Sequence, residues 1–275
     1  MKTPFLSGNP SMNIKTILAT CTLAFAFSGG AQAQVTPAPE PATPAAPEPD
    51  ASFAWNAAVV SDYMFRGLTQ TWGRPAIQGG GDLTMKNGFA AGFWASSISH
   101  KSYPGGAMEF DLYASYGHSF GKDGSWRAGL YGYVYPGGNL DQARPALASR
   151  SFDTLEANIA LTYKWLTVKY NQSLTDYFAI DTEQGYRGDS RGTQYIQAEL
   201  AVPIDDTWSL ALHAGQTHIP TALVAPLASG ARNPDYNDFG ATLKAQFAKH
   251  WSASLGVTTA DNGAFYGHTA SFLDG

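Results

Sequence analysis

From Phe53 onward the apolar residues fall on every second position, and helical spacing is nowhere competitive. In residues 53–65 the odd positions hold Phe53, Trp55, Ala57, Val59, Tyr63 and Phe65, against Asn56, Asp62 and Arg66 on even ones. The split recurs with Ile77, Leu83 and Met85 against Gln78 and Asp82. In 108–120 Met108, Phe110 and Leu112 oppose Glu109 and Asp111. Leu155, Ala157 and Ile159 oppose Glu156, and Leu166, Val168 and Tyr170 oppose Lys169. Further on, Ile196, Ala198 and Leu200 oppose Glu199, and Phe239, Ala241 and Leu243 oppose Asp238 and Lys244. Alternation over such lengths is a strand signature.

Segmenting the pattern predicts about twelve strands, near residues 53–66, 74–85, 89–100, 107–120, 125–136, 152–163, 165–175, 193–203, 207–217, 235–247, 250–260 and 264–273. The connections alternate in kind. KNG (86–88), GKDG (121–124), YK (163–164), PIDDT (203–207) and AKH (248–250) are tight turns. Those near 101–106, 136–151, 176–192 and 218–234 are mostly long and rich in Gly, Pro, Arg and Ala. Short turns at one end and long loops at the other predict an all-β, up-and-down transmembrane barrel with periplasmic turns and extracellular loops.

Strands that follow a short turn open on an aromatic residue: Phe89, Trp126, Trp165, Trp208 and Trp251, with Trp55 in that place in the first strand. One aromatic ring at one end of a barrel is an interfacial girdle. A soluble β-sandwich or lipocalin-like barrel would turn its apolar face inward. It would have no reason to gather tryptophans at one end of every second strand.

Composition fits strands better than helices. Charged residues make up 14% and aromatics 13%, with 29 glycines, where a soluble enzyme carries charge on roughly a quarter of its residues. Mean hydropathy is −0.19, and beyond the N-terminus no run of about 20 apolar residues suits a spanning helix.

Residues 1–33 read as an export signal: Lys15, the apolar run ILATCTLAFAF (17–27), a Ser-Gly-Gly break and AQA (31–33), with cleavage expected after Ala33. Met1 and Met12 are both candidate starts. Cys21, the sole cysteine, lies in the apolar run, so the mature chain is expected to lack thiols. LATC (18–21) resembles a lipoprotein box, but Thr20 fits poorly before the cysteine. Residues 34–52 form a Pro/Ala-rich tract expected to be a disordered linker, and 53–275 the barrel. Cleavage removes Lys2 and Lys15 and no acid, which lowers the basic count from 17 to 15 against 22 acids. A net acidic exported chain has no electrostatic footprint for nucleic acid. No phosphate loop follows a strand and no Cys/His spacing suits zinc, so neither cofactor nor metal is expected.

With the apolar face toward lipid, the lumen is expected to carry Asp62, Asp82, Glu109, Asp111, Glu156, Glu199 and Asp238 with Arg66, Arg127, Lys169 and Lys244. Acids outnumber bases, so an open pore would lean toward cations and small polar solutes. Asp62 and Arg66, four apart on one strand, would sit about 13 Å apart. They would seek partners on other strands, Asp82 being a candidate for a basic group, while Tyr63 and Phe65 face lipid. His213 is expected to face the lumen with a structural hydrogen bond, and His118 and His268 to lie on apolar faces.

Two other functional classes compete. Glu109 and Asp111, two apart on one face, approach a glycosidase-like spacing, and HKS (100–102) and GHS (117–119) set His beside Ser, as a hydrolase would. Neither carries an orienting partner, and lining the lumen is the simpler role for the acids. The alternative is a plugged barrel acting through its loops as a structural, adhesive or ligand-binding surface. There SYPGG (102–106) and VYPGG (134–138) recur, although Pro-Gly turn chemistry explains the repeat.

SDYMFRGLTQTWGRPAIQGGGDL (61–83), GFAAGFWASSIS (88–99), EFDLYASYG (109–117), GYVYPGG (132–138) and LTVKYNQSLTDYF (166–178) resemble the TorF-type porin family. The match runs in order from about residue 53 to about 258. It implies an exported Gram-negative outer-membrane β-barrel with no well-defined substrate. Its partners would be outer-membrane lipid, the outer-membrane assembly machinery, and ions or small polar solutes. Such barrels commonly end on an aromatic residue, whereas this chain ends ASFLDG, with Phe272 three residues earlier.

Overall fold

Period two becomes a single large antiparallel sheet. The computed structural model describes residues 50–267 and 271–273, with the backbone of 22–29. The elements are β1 (Thr22–Gly29), β2 (Ala51–Val60), β3 (Met64–Phe65), β4 (Leu68–Thr69), β5 (Ala76–Met85), β6 (Phe89–Ser97) and β7 (Met108–Phe120). They continue with β8 (Gly124–Val134), β9 (Thr154–Tyr163), β10 (Leu166–Ser173), β11 (Gln194–Pro203), β12 (Trp208–His218), β13 (Tyr236–Ala248) and β14 (Trp251–Ala260). One helical turn follows, α1 (Gly263–Tyr266). Each strand from β5 to β14 pairs with the next, β2 pairs with β5, and β3 and β4 form a separate two-stranded hairpin.

Eleven of the twelve expected strands are present, and two expectations fail. The described residues of 264–273 form no strand: α1 occupies their start, and Phe272 packs against Phe152 with ring centroids 6.1 Å apart. Asn262 starts the helical turn instead, its side-chain oxygen accepting from Phe265 N–H at 3.1 Å. The remaining place beside β14 is taken by β1, from the expected export signal, which pairs antiparallel with both β14 and β2. The export signal otherwise, and most of the linker, lie outside the described residues, as does His268. The first expected strand also stops early, at Val60.

Register places the charged alternates together. Across the sheet Trp94 faces Asp111 and Asp111 faces Tyr133; Tyr131 faces Glu156, and Glu199 faces His213. This face is covered: Glu109, Glu156 and Asp238 are each 1% exposed. The other face is open and apolar, with Phe53, Ile77, Leu112, Leu130, Ile159, Leu161 and Leu255 all half exposed or more. Polarity is thus inverted relative to a water-soluble core. No helix among the described residues is long and apolar enough to cross a membrane, which says nothing of strands.

At the long-connection end the covered face closes over an aromatic layer. Ile98, Tyr103, Tyr133, Tyr135, Leu140 and Phe152 form a buried cluster, with Phe65 and Phe178 packed on it. The repeated YPGG motifs meet here. Tyr103 stacks on Tyr135 at 4.3 Å and 16°, and both rings are buried. Burial on each other, more than surface recognition, accounts for the repeat.

Candidate functional site

Residues 61–75 do not continue the wall. Alternation persists through Tyr63 and Phe65 because the segment is still extended, but it is the first arm of β3–β4, folded across the covered face. Arg66 and Gly67 form its two-residue turn, with φ of 48° and 77°, the left-handed pair a tight hairpin needs. Gly67 is required twice over, since a Cβ there would also lie 2.7 Å from the Asp238 Cβ. Asp62 fastens the hairpin's base by accepting from the hydroxyls of Thr69 (2.6 Å) and Thr71 (2.7 Å). Gln70 N–H donates to the Tyr63 carbonyl at 2.7 Å.

The tip reaches the far wall. Arg66 donates from both terminal guanidinium nitrogens, Nη1 and Nη2, to the two oxygens of Glu156, at 3.0 Å and 2.7 Å, with the two side chains 5% and 1% exposed. It also donates to the Tyr177 hydroxyl at 3.2 Å and lies 4.2 Å over the Tyr195 ring. Burial pushes the Tyr177 phenol, in the connection after β10, up to about 12, so it meets Arg66 as a neutral hydroxyl. Arg66 is therefore buried and its partner is Glu156. Asp82, the expected partner, instead accepts from Tyr113 at 2.7 Å. Tyr63 and Phe65 do not face lipid: Tyr63 donates to Glu109 at 3.3 Å, and Phe65 packs edge-on against Tyr133 and Phe178.

Beneath the hairpin lies a cavity of about 550 Å³, bordered by Arg66, Lys169, Glu199, His213 and Asp238. Small residues of β13 and β14, among them Gly240, Thr242, Ser254 and Gly256, also line it. His213 is not alone there. Its Nε2 lies 2.6 Å from Asp238 Oδ1 and 3.0 Å from the Tyr195 hydroxyl, which donates to the same carboxylate at 3.2 Å. Gly215 leaves the room, since a Cβ would collide with the Tyr195 hydroxyl.

The other expected lining residues are scattered along the same face. Glu109 and Asp111 are buried beside the hairpin, and one oxygen of each, Oε2 and Oδ1, has no hydrogen-bond partner. The Lys169 ammonium lies 5.3 Å over Tyr131. Lys244 is half buried lower on β13, opposite Ser209 and Ser254. Arg127 is exposed nearer the short turns and donates to Ser115 at 2.9 Å. Trp55, Phe89, Trp126, Trp165, Trp208 and Trp251 all stand on the open face in the short-turn half, 37–49% exposed. Phe120, Tyr163 and Phe247, at the ends of the intervening strands, join them.

Sequence reasoning missed the tyrosines. Tyr113, Tyr131, Tyr133 and Tyr195 occupy the polar phase of their strands, and that phase was the available signal. Among the described residues no group of three or more His, Cys, Asp or Glu is placed to hold a metal.

No curated protein matches the chain. Among solved structures, the outer membrane protein OprD from Pseudomonas aeruginosa is 12% identical over 76% of this chain and 65% of its own, with a TM-score of 0.33. OccAB4 of Acinetobacter baumannii is 9% identical over 77% of this chain and 62% of its own, at 0.34. OccK8 (OprE) of Pseudomonas aeruginosa is 10% identical over 77% and 67%, at 0.33. The chain thus spans about two thirds of the length of these structures, and likenesses this weak carry nothing about function. The family described as "Bacterial protein of unknown function (Gcw_chp)" matches residues 42–272, most of the chain, and the protein belongs to it.

Proposed function

We propose that this protein is a porin-like outer-membrane β-barrel that passes ions or small polar solutes, with β3–β4 as the constriction. One observation carries it: the sheet exposes its apolar face and covers its charged one. In water an apolar surface of that extent is an association liability; against hydrocarbon it is the stable arrangement, and the polar face becomes the lumen. Ten-residue strands rise about 33 Å, and at a ~45° tilt cover about 23 Å, near the thickness of an outer-membrane apolar band. The nine aromatics in the short-turn half fit an interfacial girdle there. The resemblance to TorF-type porins belongs to the same proposal.

Barrel closure is also proposed, and β1 supports it by pairing on both sides. Export through residues 1–33 stands in tension with that. β2 and β14 run in the same direction, so without a strand between them they cannot meet as an antiparallel pair. The intact mass of membrane-extracted protein tells whether Thr22–Gly29 remains.

The lumen is read as narrow and acid-leaning, and the protein as a channel and not an enzyme: His213–Asp238 faces a tyrosine, where a hydrolase would place a serine. A second reading, a plugged barrel acting through its loops, is favoured by the aromatic layer packed over the hairpin. Liposome swelling separates them. Vesicles carrying the protein should swell in small sugars or amino acids faster than empty vesicles. Equal rates would reject the channel and leave the plugged barrel, and lipase or glycosidase turnover would reject both.

A further inference from the structure

Cations are sorted between the two ends of the sheet. The short turns carry Lys86, Lys122, Lys164 and Lys249 and no arginine, whereas the long connections, Arg66 of the hairpin aside, carry six arginines and one lysine, Lys101. The acids of the long connections are mostly engaged within the protein. Asp153 accepts from Tyr135 N–H (2.8 Å), Asp176 from Ser190 N–H (3.1 Å) and Asp235 from Ile219 N–H (2.7 Å). Asp181 holds Arg150, and Asp261 accepts twice from Asn237. Arg74, Arg144, Arg187 and Arg191 are exposed, and none has a side-chain partner among the described residues. Among the described residues of the long connections, only Glu183 and Asp189 stand equally uncommitted and exposed, both in the connection that carries Arg187 and Arg191.

The four arginines come from three connections: before β5, between β8 and β9, and between β10 and β11. They mark points around a rim and do not form one patch. Beside Arg74, Trp72 is 42% exposed at a φ of 55°, a conformation a bulky residue avoids unless held. It is held: its indole N–H donates to Ser102 at 2.8 Å, and the Lys101 ammonium lies 5.2 Å over its ring.

We propose that this rim binds the phosphorylated glycolipid of the outer leaflet, which rests on the outer-membrane reading. A guanidinium fork matches two phosphate oxygens at once, which an ammonium does not. An indole at the rim sits at headgroup level. A lipid that encircles the barrel reaches separated arginines; a nucleic acid or a single acidic protein would need them side by side.

The test uses the full chain in detergent micelles, with bis-phosphorylated lipid A, the same lipid stripped of phosphate, and inorganic phosphate as probes. Lipid A should bind saturably and inorganic phosphate should not displace it. Binding should weaken at least ~10-fold for the stripped lipid and for the quadruple variant R74Q/R144Q/R187Q/R191Q. Near-ultraviolet circular dichroism checks that this variant keeps its fold. Equal binding by the variant or the stripped lipid overturns the proposal, and so does displacement by inorganic phosphate. Protease protection in bilayers reports the membrane reading separately: protection without lipid A binding fails this proposal alone.

Discussion

Glu109 and Asp111 stand two apart on the covered face of β7, and among the described residues neither forms an ion pair. Two buried carboxylates side by side without a countercharge repel each other, so the pair carries its full negative charge, and lends this part of the interior a negative potential, only at alkaline pH. Replacing both by amides, E109Q/D111N, should shift the reversal potential under a salt gradient toward anions, and by more at alkaline than at acidic pH. It should not lower thermal stability, because burying and ionising the pair carries a desolvation cost that the amides avoid. An unchanged reversal potential would show that the pair does not border the ion path. Arg66 behaves oppositely. R66Q alone strands Glu156, at a cost of about 3–5 kcal/mol, whereas R66Q/E156Q removes both charges together. That Arg66 is charged and off the apolar phase was legible in the sequence. Its partner was not, because Glu156 lies 90 residues away and alternation says nothing about which strand faces which across an interior.

At the level of elements, β5 to β14 were legible nearly to the residue, since period two and the tight turns bracket each one. The hairpin was not. An extended segment folded inward alternates just as a wall strand does, so residues 61–66 merged with β2. Its local marks are Arg66-Gly67 at positive φ and Asp62 with Thr69 and Thr71 closing the base, a turn signature on a span too short for a second wall strand. The girdle reading makes a separate prediction. Of the seven tryptophans, five line the open face in the short-turn half and Trp94 packs inside against Tyr63. In bilayers, lipids brominated near the headgroup should quench most of the fluorescence, and more than lipids brominated at the chain ends. Changing Trp94 to Phe should leave the quenched fraction almost the same. Absence of quenching would put the tryptophans out of the membrane.

For the whole molecule, the all-β antiparallel class followed from alternation, and the placement of long and short connections from the turn residues between the alternating segments. What fills the interior did not, because packing of connections over a mouth depends on contacts between motifs far apart, such as Tyr103 on Tyr135. In the proposed channel, narrowness would come from β3–β4, held across the covered face by Arg66–Glu156, and not from strand number alone. Single-channel conductance in a planar bilayer, wild type beside R66Q/E156Q, tests this most directly. Small discrete steps with cation preference are expected for the wild type, and clearly larger steps for the double variant, whose hairpin has lost its hold on the far wall. A silent bilayer for both proteins, with the variant folded as the wild type is, would contradict a channel constricted by this hairpin.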